Sequence, residues 1–221
     1  EAPSPTIDSD LRASMAEAAL SLARTIGYES TGTVEFLLDH DSKEFFFLEV
    51  NTRLQVEHPV TEETTGIDLV RQQILVAQGE AIECPQESIS SSGHSIEARL
   101  YAEDPANNFL PAIGTVSAFQ IPDSDNIRWD VGIGKGTEVG VQFDPMLAKV
   151  TSKGSTRREA ALRLAKALEE LHLGGITTNR EFLVSTLRHE AFLAGDTTTD
   201  FIERHNPASN NFLTREEVSR A

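Results

Sequence analysis

Residues 32–58 read GTVEFLLDHDSKEFFFLEVNTRLQVEH and combine two apolar runs with a regular series of polar side chains. The apolar runs cover residues 33–38 and 44–50, and a polar segment at residues 40–43 separates them. Two β-prone runs joined by a short polar loop are typical of a β-hairpin. We therefore expect an antiparallel hairpin whose loop is centred on Ser42.

The position of the loop decides which residues face each other across the hairpin. With the loop centred on Ser42, Glu35 lies directly across from Glu49 on the same face. Like charges directly opposite each other destabilise a sheet. Two carboxylates within such apolar runs would be tolerated if they share a hard cation, and carboxylate oxygens suit Mg²⁺. The pair therefore predicts a metal site.

Polar and apolar residues continue to alternate beyond the second run. In an extended chain, successive side chains point to opposite faces, so one face would span about 26 Å at roughly 3.3 Å per residue. That face would carry Glu49, Asn51, Arg53, Gln55 and Glu57. The alternative is a half-buried strand with a solvated outer face. Because the polar series contains no Lys or Ser, we favour a binding surface with a metal-phosphate end and an anion end.

The composition is that of an acidic chain with one cysteine. Its 221 residues, 39% of them hydrophobic, suffice for one large domain or two small ones. A net charge of −16 argues against binding to nucleic acid or to an anionic membrane. The single Cys84 excludes an internal disulfide and a Cys-rich zinc site. No apolar run approaches the roughly 18 residues of a membrane span.

Apolar residues at three-to-four spacing predict helices along the chain. One runs from Ser9 to about Ile26, one ends at Ala77, and one covers residues 157–171. Alternation from His94 onward predicts a strand with one polar face, and that face includes Arg99.

Five segments, in a fixed order, carry a family resemblance. They are LEVNTRLQVEHPVTEETTGIDLVRQQILVAQGE at residues 48–80, HSIEARLYAEDP at 94–105, NNFLPAIGTV at 107–116, FDPMLAKV at 143–150 and GGITTNREFL at 174–183. Together they resemble the biotin carboxylases, the ATP-grasp component of biotin-dependent carboxylases. The likeness covers about residues 1 to 205.

The resemblance implies an α+β fold in two domains. We expect residues 1–84 to form the C-terminal part of an ATP-grasp domain, an antiparallel sheet with helices, and residues 85–93 to be a linker. Residues 94–205 would form the biotin carboxylase C-terminal domain of antiparallel strands with packed helices, and residues 206–221 a polar tail leading to a further domain. The family's nucleotide-fold domain and glycine-rich lid have no counterpart in the sequence. We therefore expect the 221 residues to be inactive without that N-terminal part.

The resemblance also implies a reaction. MgATP would phosphorylate bicarbonate to carboxyphosphate, and biotin, the carrier substrate, would then be carboxylated at its ureido nitrogen. The implied roles are Mg²⁺ or Mn²⁺ binding by Glu35, Glu49 and Asn51, bicarbonate binding by Arg53, Gln55 and the backbone amide of Val56, and general-base catalysis by Glu57.

Four further residues receive roles only through the resemblance. Arg99 would stabilise the biotin enolate, and Asp144 would lie beside the biotin pocket. Leu37 and Ile176 would pack against the adenine ring of ATP. The spacing alone leaves other interpretations open: Arg99 as a surface arginine, Asp144 as a turn former before a proline, and the two aliphatic residues as core.

The implied partners are a biotinylated carrier domain, a carboxyltransferase domain or subunit, and the N-terminal part of the same enzyme. A homodimer is a further expectation, since Arg128 matches an interface arginine of the family, although Asp125 replaces the aromatic residue often found beside it. The location would be the cytoplasm, or the mitochondrial matrix for a eukaryotic parent. Two other classes stay open: another ATP-grasp ligase, such as a carbamoyl-phosphate synthetase large chain, and a non-catalytic assembly module.

Overall fold

A computed structural model describes residues 1–207 of the chain. These residues form two compact units, Glu1–Ser92 and the part from Gly93 onward, and each unit is described by itself. The predicted polar tail, residues 206–221, lies outside the described residues from residue 208 onward. Within residues 1–207, no helix is both long enough and apolar enough to cross a bilayer.

The first unit consists of a long helix, a hairpin and two shorter helices. They are α1 Ser9–Ile26, β1 Thr33–Leu38, β2 Phe45–Asn51, α2 Pro59–Thr65 and α3 Leu69–Ala77. The Asp8 side chain caps α1 by accepting hydrogen bonds from two first-turn amides, and Gly27, in the left-handed conformation at φ 62°, ends it. These local signals explain why α1 has the bounds that the sequence predicted.

The hairpin pairs β1 with β2 in antiparallel register, and Glu35 lies opposite Glu49 as predicted. The predicted uniform register is wrong on the loop side, where Phe36 pairs with Phe47. Leu48 is therefore an extra residue, which forms a β-bulge. The loop itself is held by Asp39, whose side chain accepts a hydrogen bond from the Ser42 amide at 2.7 Å. That hydrogen bond is the main cause that lowers the pKa of Asp39.

The second unit contains a central antiparallel sheet and three small two-stranded ladders. Its strands are β3 His94–Tyr101, β4 Glu103–Asp104, β5 Leu110–Pro111, β6 Gly114–Thr115, β7 Ala118–Gln120, β8 Ile127–Val131, β9 Glu138–Val139, β10 Met146–Gly154 and β11 His172–Gly174. Its helices are α4 Arg157–Glu170, α5 Arg180–Arg188, α6 Glu190–Ala194 and α7 Phe201–His205. The central sheet has the order β3-β10-β8, with β10 in the middle.

Helices cover one face of this sheet and form the main core. Leu164 and Leu168 of α4 pack in one cluster with Ile96, Val150 and Leu187, all of them buried. The chain turns tightly from β10 into α4: a Cβ on Gly154 would lie 2.6 Å from the amide nitrogen of Ala160, so only glycine fits without a shift. The predicted α+β class, antiparallel strands with packed helices, is confirmed.

The opposite face of the central sheet carries charged and polar side chains. It is called the polar face below and comprises Glu97, Arg99, Arg128, Asp130, Lys149 and Thr151. Residues directly across an antiparallel pair, and residues two apart along a strand, share a face. The registers of β10 with β3 and with β8 therefore place all six on the same side.

We expect Leu164→Ala to lower the free energy of unfolding by about 2–5 kcal/mol, because the fully buried side chain would leave a cavity. The matched control is Leu110→Ala in the same unit, at a leucine that is 61% exposed, and its cost should stay within about 0.5 kcal/mol. Urea denaturation followed by fluorescence of Trp129, the only tryptophan, measures both, since Trp129 packs against this core. Equal losses in the two variants would contradict the assigned core.

Candidate active site

Two carboxylates of the first unit converge on a single hydrogen-bond donor. Asn51 Nδ2 donates to Glu35 Oε1 at 2.7 Å and to Glu49 Oε1 at 3.0 Å. The hairpin produces this arrangement, because β1 carries one glutamate directly opposite the other and Asn51 is the last residue of β2. One electropositive amide group therefore lies between two anionic side chains.

The network continues from the carboxylates to a guanidinium through two amides. Gln55 Nε2 donates to Glu35 Oε1 at 3.0 Å, and Arg53 Nη1 donates to Gln55 Oε1 at 3.0 Å. Arg53 Nη2 also donates to Asn51 Oδ1 at 3.2 Å. Five residues predicted as site residues, Glu35, Glu49, Asn51, Arg53 and Gln55, are thus connected by hydrogen bonds. The contact between Gln55 and Glu35 had no signal in the sequence.

The prediction that this segment stays extended to Glu57 is wrong. Strand β2 ends at Asn51, and residues 56–58 form a turn in which the His58 amide donates to the Gln55 carbonyl at 3.3 Å. Pro59 then starts α2. The physical reason is that α2 begins with buried residues, Pro59 and Val60, whose burial overrides the strand pattern. Gln55 precedes this turn, so it reaches Glu35 because the chain already bends between Asn51 and Gln55.

Val56 and Glu57 lie in this turn, and Glu57 is exposed. Glu57 lines a cavity of about 750 Å³, together with Gln55, His58 and apolar residues that include Leu54. His58 is held in place, because its Nδ1 lies 2.7 Å from the Gln55 carbonyl oxygen. The cavity lies directly beside the hydrogen-bonded network, since Gln55 belongs to both.

The donor set of the network fits a magnesium ion that also binds a nucleotide. It offers two carboxylates and one amide oxygen within one hydrogen-bonded group. Among residues 1–207, no cluster of three or more His, Cys, Asp or Glu side chains could form a complete protein site. Mg²⁺ is commonly held by one or two carboxylates with substrate phosphates and water completing the octahedron.

The remaining predicted site residues of the second unit occupy separate places. Arg99 is half-buried on the polar face, directly across from Lys149. Asp144 precedes β10, and its Oδ1 accepts a hydrogen bond from the Met146 amide at 2.8 Å, as expected of a turn former. Burial, and then the nearby charge of Asp144, raise the pKa of Glu103.

The two predicted adenine contacts differ in environment. Leu37, on β1, is 56% exposed and is therefore not part of a core. Ile176 is half-buried and packs against the core cluster of the second unit that contains Leu100 and Leu147. Asp130 and Lys149 were not predicted as site residues, and they form an ion pair at 3.6 Å on the polar face.

Comparisons with known proteins agree over nearly the whole chain. Residues 97–204 match the family model of the biotin carboxylase C-terminal domain. Residues 1–84 match the model of the carbamoyl-phosphate synthase L chain ATP-binding domain. Biotin carboxylase 2 of Bacillus subtilis is 46% identical over 205 residues, which cover 93% of this chain and 46% of that protein. The mitochondrial methylcrotonoyl-CoA carboxylase subunit alpha of Glycine max is 44% identical, covering 93% and 28%.

A solved structure of a biotin carboxylase domain has the same fold as this chain. The biotin carboxylase domain of a thermophilic 2-oxoglutarate carboxylase, solved with bicarbonate, superimposes with a TM-score of 0.92 at 36% sequence identity. The match covers 96% of this chain and 47% of that chain. The chain thus spans less than half the length of each of these relatives. Residues 97–204 thus belong to the biotin carboxylase C-terminal domain family and follow an ATP-binding domain, in a chain that is similar over nearly its whole length to biotin carboxylases.

Proposed function

We propose that this chain is part of a biotin carboxylase, which uses MgATP and bicarbonate to carboxylate biotin through carboxyphosphate within a biotin-dependent acyl-CoA carboxylase. The observation that carries the proposal is the convergence of Glu35 and Glu49 on Asn51, with Arg53 and Gln55 in the same network. A phosphoryl-transfer site needs a metal next to a group that binds the acceptor anion. The network offers two carboxylates that would hold the metal and, beside them, a guanidinium that would bind the anion.

At the carboxylate end, Glu35 and Glu49 would hold Mg²⁺ or Mn²⁺, with Asn51 assisting. The bound ion would neutralise the charge of the phosphoryl group during its transfer. Asn51 now donates its amide N–H to both carboxylates. To ligate a cation it would present its amide oxygen instead, and a flip of the side-chain amide would do so while breaking the hydrogen bond that Oδ1 now accepts from Arg53.

At the anion end, Arg53, Gln55 and the backbone amide of Val56 would bind bicarbonate. The Arg53 guanidinium donates to Gln55, to Asn51 and, at 3.2 Å, to the Leu54 carbonyl. A guanidinium has five N–H donors in a planar fork. Contacts on its two terminal nitrogens fix the plane and leave further donors for a carboxylate-like oxygen. Arg53 would therefore be oriented before the substrate arrives.

Glu57 would act as the general base that removes the proton from bicarbonate. It is exposed, lines the cavity beside the network, and follows Val56 in the same turn. A base must come within hydrogen-bond reach of the proton that it removes. Because Glu57 directly follows Val56 in the turn, its carboxylate would lie close to a bicarbonate ion bound at the Val56 amide.

Arg99 would stabilise the enolate of biotin, with Asp144 beside the biotin pocket. Leu37 and Ile176 would contact the adenine ring of ATP.

We infer that residues 1–84 belong to the ATP-grasp domain, residues 85–93 to a linker and residues 94–205 to the C-terminal domain. Turnover would require the N-terminal part of the enzyme, a biotinylated carrier domain and a carboxyltransferase, in the cytoplasm or the mitochondrial matrix. Homodimers would form through the surface around Arg128, and a dimeric 2-oxoglutarate carboxylase domain among the similar structures supports a dimer.

A carbamoyl-phosphate synthetase is the weaker candidate. The match of residues 1–84 to its ATP-binding domain reflects the shared ATP-grasp site, whereas residues 97–204 match the biotin carboxylase C-terminal domain. Ammonia-dependent or glutamine-dependent ATP hydrolysis by the parent enzyme, without any response to biotin, would favour it.

We expect Glu49→Gln in the full-length enzyme to raise the Mg²⁺ concentration needed for half-maximal activity by about 10- to 100-fold or more, since even outer-shell partners of a metal cost that much. The measurement is bicarbonate-dependent ATP hydrolysis against free Mg²⁺ at fixed MgATP. Glu44→Gln, an exposed residue beside the loop of the same hairpin, is the control and should leave the curve unchanged. Unchanged Mg²⁺ dependence in Glu49→Gln would remove Glu49 from the metal site.

We expect Glu57→Gln to lower bicarbonate-dependent turnover of the full-length enzyme by about 10²- to 10⁴-fold, the usual contribution of a general base. Nucleotide affinity, measured by calorimetry with a non-hydrolysable ATP analogue, should remain near the unsubstituted value. Glu80→Gln, an exposed residue after α3, serves as the control. Turnover retained in Glu57→Gln would exclude the residue as the base.

A further inference from the structure

The polar face arranges its six side chains in two rows across the central sheet. The first row is Arg99, Lys149 and Asp130, from β3 through β10 to β8. The second row, two residues along each strand, is Glu97, Thr151 and Arg128. Within these two rows, three cations face two anions. The direction of each cationic side chain therefore depends on which of the two anions it pairs with.

Asp130 is shared by two of the cations. Its Oδ2 lies 3.0 Å from Arg128 Nε and 3.6 Å from Lys149 Nζ, and its Oδ1 accepts from Arg128 Nε at 3.2 Å. The Lys149 side chain is only 14% exposed, so these charges interact in a partly desolvated environment. Asp130 thus balances the positive charges at the end of the rows that is distant from Arg99. The other anion, Glu97, lies on the same strand as Arg99.

Glu97 lies two residues from Arg99 on β3, which places their Cα atoms about 6.6 Å apart on the same face. A carboxylate and a guanidinium can meet across that distance, because both side chains are long. Glu97 is itself held, since Thr151 Oγ1 donates to its Oε2 at 3.4 Å. Thr151 and Ser95, the neighbours of Glu97 across and along the sheet, are almost completely buried. The carboxylate therefore has a fixed place on a rigid strand.

The positive charge of Lys149 explains why Arg99 needs a carboxylate beside it. Lys149 lies directly opposite Arg99, and like charges in that position repel each other. A guanidinium without a local anion would turn away from Lys149 towards solvent. With a carboxylate along one edge, the planar group keeps its orientation and offers its other donors to a ligand.

We infer that Glu97 is a positioning residue for the proposed carboxylation of biotin, and that it acts by holding the guanidinium of Arg99 towards the anionic oxygen of biotin. The inference rests on the proposed function, because it takes the role of Arg99 from there. Glu97 need not touch the substrate. It sets the direction of the residue that does.

The test uses the full-length enzyme with free biotin and compares Glu97→Gln, Arg99→Met and the double variant. Glu97→Gln should lower kcat/KM for biotin by about 10- to 100-fold, the range for loss of a hydrogen bond to a charged group. Biotin-independent ATP hydrolysis with bicarbonate should remain unchanged. Glu97→Asp should recover part of the loss, and Glu138→Gln, an exposed residue of the same unit, should show none.

The double variant separates a role through Arg99 from a role in folding. If Glu97 acts through Arg99, the double variant should be no worse than Arg99→Met alone, since the two effects are not additive. Additive losses, or an equal loss of biotin-dependent and biotin-independent activity with a lowered Tm, would overturn the inference. If Arg99→Met itself leaves biotin carboxylation intact, the role of Arg99 in the proposed function fails. If it impairs carboxylation and Glu97→Gln does not, only the inference fails.

Discussion

The meeting of Glu35 and Glu49 across one hairpin is the constraint on which the site depends. Two carboxylates directly opposite each other raise the energy of a sheet unless a positive group lies between them. The Asn51 amide occupies that place and binds both oxygens. A divalent cation would do the same with more charge. In the proposed function, a divalent cation bound between Glu35 and Glu49 would compensate this unfavourable pair.

Two departures from regular strand geometry shape the rest of the site. Leu48 is an extra residue that bulges out of the strand. Because of this bulge, Glu35 faces Glu49 although the pairs nearer the loop are shifted by one residue. The chain then bends between Asn51 and Gln55, so that Gln55 reaches Glu35, and the turn at residues 56–58 leads into α2. In the second unit a helix-covered sheet holds the polar face on a rigid core. Glu35, Glu49 and Arg99 thus lie on strands, whereas the proposed bicarbonate-binding residues and Glu57 lie in the segment between β2 and α2.

The sequence predicted what local signals determine. Helix α1 begins at a capping aspartate and ends at Gly27, and a hairpin loop centred on Ser42 placed Glu35 opposite Glu49. It did not predict the bulge, which depends on how the loop closes around Asp39. It also missed the fold-back after Asn51, because the buried start of α2 overrides the strand pattern. The pairing of Asp130 with Lys149 joins residues from strands distant in sequence, and no local pattern encodes it.

The most direct measurement is a crystal structure of the full-length enzyme with Mn²⁺ and a non-hydrolysable ATP analogue, with anomalous scattering used to locate the metal. We predict an anomalous peak between β1 and β2, about 2.0–2.3 Å from one carboxylate oxygen each of Glu35 and Glu49. The Asn51 amide nitrogen should then no longer bridge the two carboxylates. A metal bound to the nucleotide without either glutamate, or glutamates that keep their shared hydrogen bonds to Asn51, would contradict the account.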